Sequence, residues 1–172
     1  LIEQIETLSN IASEFSNFAK MPKPNAEKLE LVSLMRNTVS LFKNSSEMEI
    51  NWDCVLTEAF VNADKDQLVR VFNNLIKNSM QAIPENRKGK ITVKLTKESQ
   101  QYLVAVTDNG TGISQDALEK IFTPNFTTKS TGMGLGLAMV KNIIETMDGK
   151  IWFITKEDQG TTFFVSVPVW EE

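Results

Sequence analysis

An apolar run, Leu103-Val104-Ala105-Val106, leads through Thr107 into an acid and then into glycines, Asp108-Asn109-Gly110-Thr111-Gly112-Ile113. After a long polar stretch come the alternating glycines of Gly132-Met133-Gly134-Leu135-Gly136-Leu137, followed by an amphipathic helical pattern. This order places a carboxylate at a strand end and closes a loop on a helix N-terminus. Unpaired backbone N–H groups and the helix dipole favour phosphate there. The stretch reads as a nucleotide pocket, with the rest of the chain as its frame.

Bulk properties narrow the frame. A chain of 172 residues, 41% hydrophobic, suits one domain with an appendage. A net charge of −4 and a pI near 5.0 give no broad basic surface, so no nucleic-acid partner is expected. The single cysteine, Cys54, excludes an internal disulfide framework, fits a reducing compartment and reads as a small core residue. No apolar run is long enough for a membrane span, and no signal peptide is visible. The chain opens in mid-helix pattern, as expected of a piece of a longer protein. A cytoplasmic location is expected, with any membrane anchoring left to segments of the parent. The absence of histidine removes histidine-based acid–base catalysis, histidine metal sites and phosphohistidine from this chain.

Residues 1–19 carry Leu1, Ile5, Leu8, Ala12, Phe15 and Ala19 at helical spacing, widened by Ile11 and Phe18. Such a stripe either packs on its own domain or pairs with another helix. The helix breaker Met21-Pro22-Lys23-Pro24 directly after it favours pairing, and hence a homodimer through residues 1–19. A second helix is predicted over 29–43 and a third over 65–83. Asp64 caps the third, and Gln67 completes a capping box. Strands are expected at 48–56, 60–62, 90–97, 101–107, 151–155 and 161–169. Ser114 should cap a short helix reaching Ile121, and a last helix over 135–147 should end on Gly149. Together these give an α/β (α+β) two-layer sandwich, a mixed sheet of about five strands against three helices.

On the third helix Leu68, Phe72, Leu75, Ile76, Ser79 and Ile83 share the apolar face. Asn74, Asn78 and Gln81 lie on another. Asparagine is a mediocre helix former, so the pair is either ordinary solvated surface or a set of amides facing a ligand. An amide oxygen suits a hard cation such as Mg²⁺. Asp108 is either a turn aspartate or an acceptor for the exocyclic amine of adenine. Lys129 is either a solvated loop lysine or a point charge for phosphate. The glycine motif is neither a dinucleotide-binding fingerprint, since no strand precedes it, nor a Walker A loop, since no Lys-Ser/Thr pair follows.

Each motif is weak alone, but their order is specific. The set resembles the ATP-binding catalytic domain of sensor histidine kinases, the GHKL or Bergerat fold shared with Hsp90, DNA gyrase B and MutL. Asn74 to Ala82 resembles the N box, Asp108 to Ile113 the G1 box, Ile121 to Lys129 the F box and Gly132 to Leu137 the G2 box. Gly160-Thr161-Thr162-Phe163 is similar to the final motif. The resemblance covers about residues 27–170. It implies a division into a dimerisation-helix remnant (1–22), a linker (23–28) and a catalytic domain (29–172). Ser16 to Pro22, with the Phe-Thr-Thr-Lys stretch, is similar to the nitrogen-regulatory NtrB/NtrY-like branch.

The resemblance implies ATP and Mg²⁺ as cofactors. It implies that Asn78 ligates the metal and that Asn74 supports metal and phosphates. Asp108 would bind the adenine amine with help from Thr161, while Gly110 and Gly112 let the backbone approach the base. Lys129 and the N–H groups around Gly132, Gly134, Leu135 and Gly136 would hold phosphates, and Ile113 and Leu137 would wall the adenine. The catalytic set is then Asn74, Asn78 and Lys129. ATPase relatives carry a water-activating glutamate where this chain has Asn74. That favours phosphoryl transfer to a histidine on an upstream dimerisation domain, for relay to a response regulator, over a hydrolytic ATPase or a degenerate binding module. Gln81, Asn125, Met133 and Asp148 depart from the family pattern.

Overall fold

The structure, a computed structural model, describes residues 1–124, 126–127 and 134–172. In chain order the elements are α1 (Ile2–Ala19), β1 (Glu27–Glu30), α2 (Leu31–Ser45), β2 (Glu49–Cys54), β3 (Phe60–Ala63) and α3 (Lys65–Ala82). These are followed by β4 (Lys90–Glu98), β5 (Gln101–Asp108), a 3₁₀ turn (Gln115–Ala117), α4 (Gly136–Thr146), β6 (Lys150–Lys156) and β7 (Gly160–Pro168).

Five strands form one sheet in the order β2-β4-β5-β7-β6. The β2–β4 pair is parallel and the others are antiparallel. Period-two alternation sends Ile91, Val93 and Leu95 of β4, Tyr102, Val104 and Val106 of β5, and Phe163, Val165 and Val167 of β7 to one buried face. Onto that face pack Leu31, Met35 and Val39 of α2, Leu68, Phe72, Leu75 and Ile76 of α3, and Val140, Ile143 and Ile144 of α4. The two-layer sandwich with a five-stranded mixed sheet is therefore present as expected.

The α2 N-terminus is held by Glu30. Its carboxylate accepts from Val32 N (2.9 Å), Ser33 N (2.8 Å) and, across the chain, Ala59 N (3.0 Å). Burial pushes this carboxyl up, but hydrogen bonds involving Ser33, Ala59 and Val32 outweigh it and hold the group below its ordinary value.

Several elements differ from expectation. β1 carries no alternation signal, yet it pairs with β3 antiparallel. Lys28 secures it, with its ammonium 3.9 Å from the Trp170 ring centre and 4.7 Å from that of Phe60. Asp64 does cap α3, accepting from Gln67 N at 3.1 Å, and it also accepts from Asn25 N at 2.8 Å. The capping box is not closed, because the Gln67 side-chain amide donates to Pro22 O at 3.4 Å. Ser114 makes no side-chain cap, and the helix expected after it is one 3₁₀ turn. At the end of α4 the left-handed residue is Asp148 (φ 59°), with Gly149 N donating to Ile144 O at 2.9 Å. Aspartate tolerates that conformation, which accounts for its place where the family favours glycine.

No residue of α1 is fully buried, and Leu1, Ile2, Ile5, Leu8 and Phe15 are exposed. Among the described residues no helix is long and apolar enough to cross a membrane.

We expect Glu30→Ala to destabilise the fold by about 1–2 kcal/mol at neutral pH, measured by urea denaturation. A depressed carboxyl contributes stability above its unfolded pKa and loses it as pH falls through the folded one. The gap between wild type and variant should therefore close in acid, below the ordinary glutamate range.

Candidate functional site

β5 ends at Asp108, which is only 4% exposed. Its Oδ1 accepts from Gly110 N (2.9 Å) in the following loop and from Thr161 N (3.2 Å) at the start of β7. Among the described residues, Oδ2 has no hydrogen bond that occupies it. Burial raises the Asp108 pKa above its ordinary value. The Gly110 and Thr161 N–H groups and the nearby Ser79 hydroxyl oppose that rise without cancelling it.

The loop after Asp108 is tied on both sides. Thr111 N donates to Ala82 O at the end of α3 (2.9 Å), and Asp158 N donates to Thr111 O (2.7 Å). Gly112 has φ +73°, and a Cβ there would run into Lys156 O, so the turn needs glycine. Ile113 N donates to Thr155 Oγ1 at 2.9 Å, and that hydroxyl pairs with Thr161 Oγ1 at 2.8 Å. Thr161 thus meets Asp108 through its backbone, while its hydroxyl is shared with Thr155.

Sequence reasoning missed Arg87, in the stretch read only as a loop. Its Nη1 donates to both Asn109 O and Gly110 O at 2.7 Å. Asn109 is fixed in turn by Lys90 N on its Oδ1 and by its own Nδ2 on Lys88 O, both at 2.9 Å. The 87–90 segment therefore braces the turn that carries Asp108. No local pattern announces this, because one arginine before a glycine is common in loops.

Across from the turn, Asn74 donates from Nδ2 to Arg70 O (3.0 Å). Its Oδ1 faces Gly136 so closely that a Cβ there would lie 2.5 Å away. α4 begins at that glycine, with Leu135 in the N-cap position and no side-chain cap bond. Its first described helical bond runs from Met139 N to Leu135 O (2.9 Å). The early N–H groups of α4 thus start at the pocket wall.

One cavity of about 820 Å³ gathers Asn74, Asn78, Gln81, Asp108, Gly112, Ile113, Gly134, Gly136, Leu137 and Thr161. Phe126 and Thr127 line it, as do Asn10, Ser13, Glu14 and Asn17 of α1. Gly110 lies behind the lining against Ala82, and Leu135 is buried. Lys129 and Gly132, with Asn125 and Met133, lie outside the described residues. A second cavity of about 490 Å³, near Pro24, Asp64, Met147 and Trp170, holds none of the predicted site residues. Among the described residues no group of three His, Cys, Asp or Glu side chains could hold a metal. The polar side chains lining the main cavity are instead amides and hydroxyls, with the carboxylates of Asp108 and Glu14 and the ammonium of Lys77.

Two outcomes follow for the empty protein. Because the Asp108 carboxyl is raised, its contribution to stability is full at low pH and is lost as pH rises through the folded pKa. Asp108→Asn should therefore keep or raise the melting temperature near neutral pH, and should lose that advantage in acid. Arg87→Ala, which removes two charge-assisted bonds, should destabilise by about 1–3 kcal/mol. Thermal melts over a pH series check both.

Comparison with known proteins agrees with this geometry. A family model described as histidine kinase-, DNA gyrase B-, and HSP90-like ATPase matches residues 63–171. The sensor histidine kinase ZraS of Escherichia coli strain K12 is 34% identical over 172 residues, covering 98% of this chain and 37% of that protein. A putative NtrY-like sensor histidine kinase of Rickettsia prowazekii is 33% identical over 161 residues, covering 93% of this chain and 27% of that protein. The chain therefore spans between about a quarter and little more than a third of the length of the curated relatives it matches. The catalytic domain of histidine kinase ThkA superposes with TM-score 0.75 at 32% identity, over 84% of this chain and 96% of that domain. ThkA in complex with the response regulator TrrA superposes with TM-score 0.80 at 25% identity, over 96% of this chain and 49% of that one. The family match over most of the chain, together with the likeness in sequence and fold to these relatives, shows that the chain belongs to the histidine kinase-, DNA gyrase B- and HSP90-like ATPases, among the catalytic domains of sensor histidine kinases.

Proposed function

We propose that this chain binds Mg-ATP in the main cavity and passes the γ-phosphoryl group to a histidine on a dimerisation domain, for relay to a response regulator. The observation that carries this reading is the convergence of Asp108, Asn74, Asn78 and the start of α4 on one cavity. The free oxygen of Asp108 accepts the adenine 6-amine. Ile113 and Leu137 offer apolar surface to the ring, and Thr161 borders its edge.

The phosphates lie toward α4, where early N–H groups and the helix dipole stabilise negative charge. Gly134 and Gly136 admit the chain there, and Lys129 and Gly132 belong to the same proposed phosphate region. Asn78 offers an amide oxygen to Mg²⁺, a ligand suited to a hard cation that keeps waters and phosphate oxygens. The metal, when bound, neutralises charge on the phosphates. Asn74, with Nδ2 engaged by its own helix, presents only Oδ1 toward the start of α4. It holds α3 and α4 in register and has no basic atom to take a proton from water. An imidazole acceptor needs no such base, so positioning and charge neutralisation suffice.

Residues 1–22 fit the end of a dimerisation helix, 23–28 a linker and 29–172 the catalytic domain. Asn10, Ser13, Glu14 and Asn17 form one stripe of α1 facing the cavity. The exposed apolar residues Ile5, Leu8 and Phe15 lie on the opposite side, free for a second copy. A cytoplasmic place for this domain, with any anchor elsewhere in the parent, fits the same reading.

We expect micromolar ATP affinity by calorimetry, weakened at least tenfold in Asp108→Asn, and loss of its Mg²⁺ dependence in Asn78→Ala. Unchanged ATP binding in Asp108→Asn would sink the pocket assignment. Radiolabelled γ-phosphate should appear on a supplied hairpin bearing the acceptor histidine. Steady phosphate release by this chain alone, abolished by Asn74→Ala, would point instead to hydrolysis. Sedimentation should show concentration-dependent pairing that Leu8→Glu removes, whereas a monomer at all concentrations would contradict it.

A further inference from the structure

Ser79 directly follows Asn78 on α3, yet it sits on the apolar face and is 1% exposed. Among the described residues its buried hydroxyl has no hydrogen-bond partner. Several other helical hydroxyls behave differently. Thr7, Thr38, Ser45 and Thr146 each donate to the carbonyl four residues earlier, at 2.7 to 2.9 Å. That bond is the ordinary resting place of a serine or threonine inside a helix. Ser79 makes no such bond among the described residues; it lies on the buried face of α3, one turn before Ala82, whose carbonyl holds the loop that follows Asp108, and its hydroxyl is among the groups that oppose the rise of the Asp108 pKa.

A buried hydroxyl without a partner costs about 1–3 kcal/mol, and alanine would fit the same face without that penalty. Its presence is understandable if the bond forms only when a ligand docks. Asp108 shows what the partner is. Oδ1 is taken by Gly110 N and Thr161 N, while Oδ2 is the oxygen left for the base. A carboxylate that is buried and only half satisfied is prone to bind a proton, and a protonated Asp108 would donate as readily as accept. Such a group no longer separates a purine with a 6-amino group from one with a 6-oxo group.

We propose that Ser79 is a specificity-determining positioning residue, whose hydroxyl donates to the Asp108 carboxylate when a purine docks and so holds it as an acceptor for a 6-amino group and against a 6-oxo group. This rests on the reading of the cavity as an ATP site. The role belongs to the base end of the pocket and is separate from the phosphate end formed by Asn74, Asn78 and α4.

The test compares ATP with inosine triphosphate, which differs at the purine 6-position and N1, by calorimetry on the 172-residue chain. Wild type should prefer ATP. Ser79→Ala should keep or raise the melting temperature of the empty protein, weaken ATP binding about tenfold and compress the ATP-to-inosine-triphosphate ratio by a similar factor. Ser79→Cys, a weaker donor of similar shape, should fall between the two. A merely structural role would lower the melting temperature and leave the ratio unchanged. An unchanged ratio in both variants overturns the proposal while leaving the ATP site standing. A wild-type chain that binds neither nucleotide removes both readings.

Discussion

The pocket depends on one buried carboxylate oxygen held by two backbone N–H groups. Asp108 Oδ1 joins the loop after β5 to the first residues of β7, two segments 53 positions apart in the chain. Burial of a charge is unfavourable unless hydrogen bonds replace the lost water. Here the replacement is partial, and the group is held away from its ordinary ionisation. The remaining oxygen carries an unmet demand for a donor. In the proposed nucleotide site that donor comes with the base, so the incompleteness that burdens the empty protein would there contribute affinity.

Everything around that oxygen serves to keep it in place. The turn leaving Asp108 is pinned to α3 through Thr111 N and to the β6–β7 turn through Thr111 O. Gly160 at the head of β7 has φ +118°, and its Cα lies where any side chain would strike Asp108 O. Arg87 clasps the turn from the other side through two carbonyls. The opposite wall works the same way: the closeness of Asn74 to Gly136 sets the start of α4 against α3. The pocket is thus a gap between two firmly tied seams, and its glycines stand where main chain meets main chain.

Much of the fold was legible because the forces were local or periodic. Alternation over 90–107 and 161–169 marks strands buried on one face, and the 3.6-residue period marks α2, α3 and α4. Asn74, Asn78 and Asp108 stood out by residue type and spacing and Thr161 through the family resemblance, and the structure brings all four to one cavity. What escaped notice was non-local. β1 forms by pairing with β3, with Lys28 over the Phe60 and Trp170 rings, contacts no window of sequence contains. Gln67 abandons the capping box for Pro22 because the linker passes within its reach. Arg87 acts on residues 22 and 23 positions away. The short helix expected after Ser114 shrinks to one turn without a capping bond.

Composition and order of residues by themselves determined the two-layer class, the pairing of helices with a one-sided sheet, the absence of histidine from this chain and which amides and acid to look for in the cavity. These follow from periodicity, propensity and side-chain chemistry, which act within a few residues. Only the tertiary structure decided which of those groups share a cavity and which oxygen of Asp108 is left free. It also decided that Ser79, which the helical period assigns to the core, lies beside that carboxylate without a bond of its own. The physical reason is that hydrogen-bond satisfaction and burial are settled between segments far apart in the chain, where spacing along the sequence carries no information.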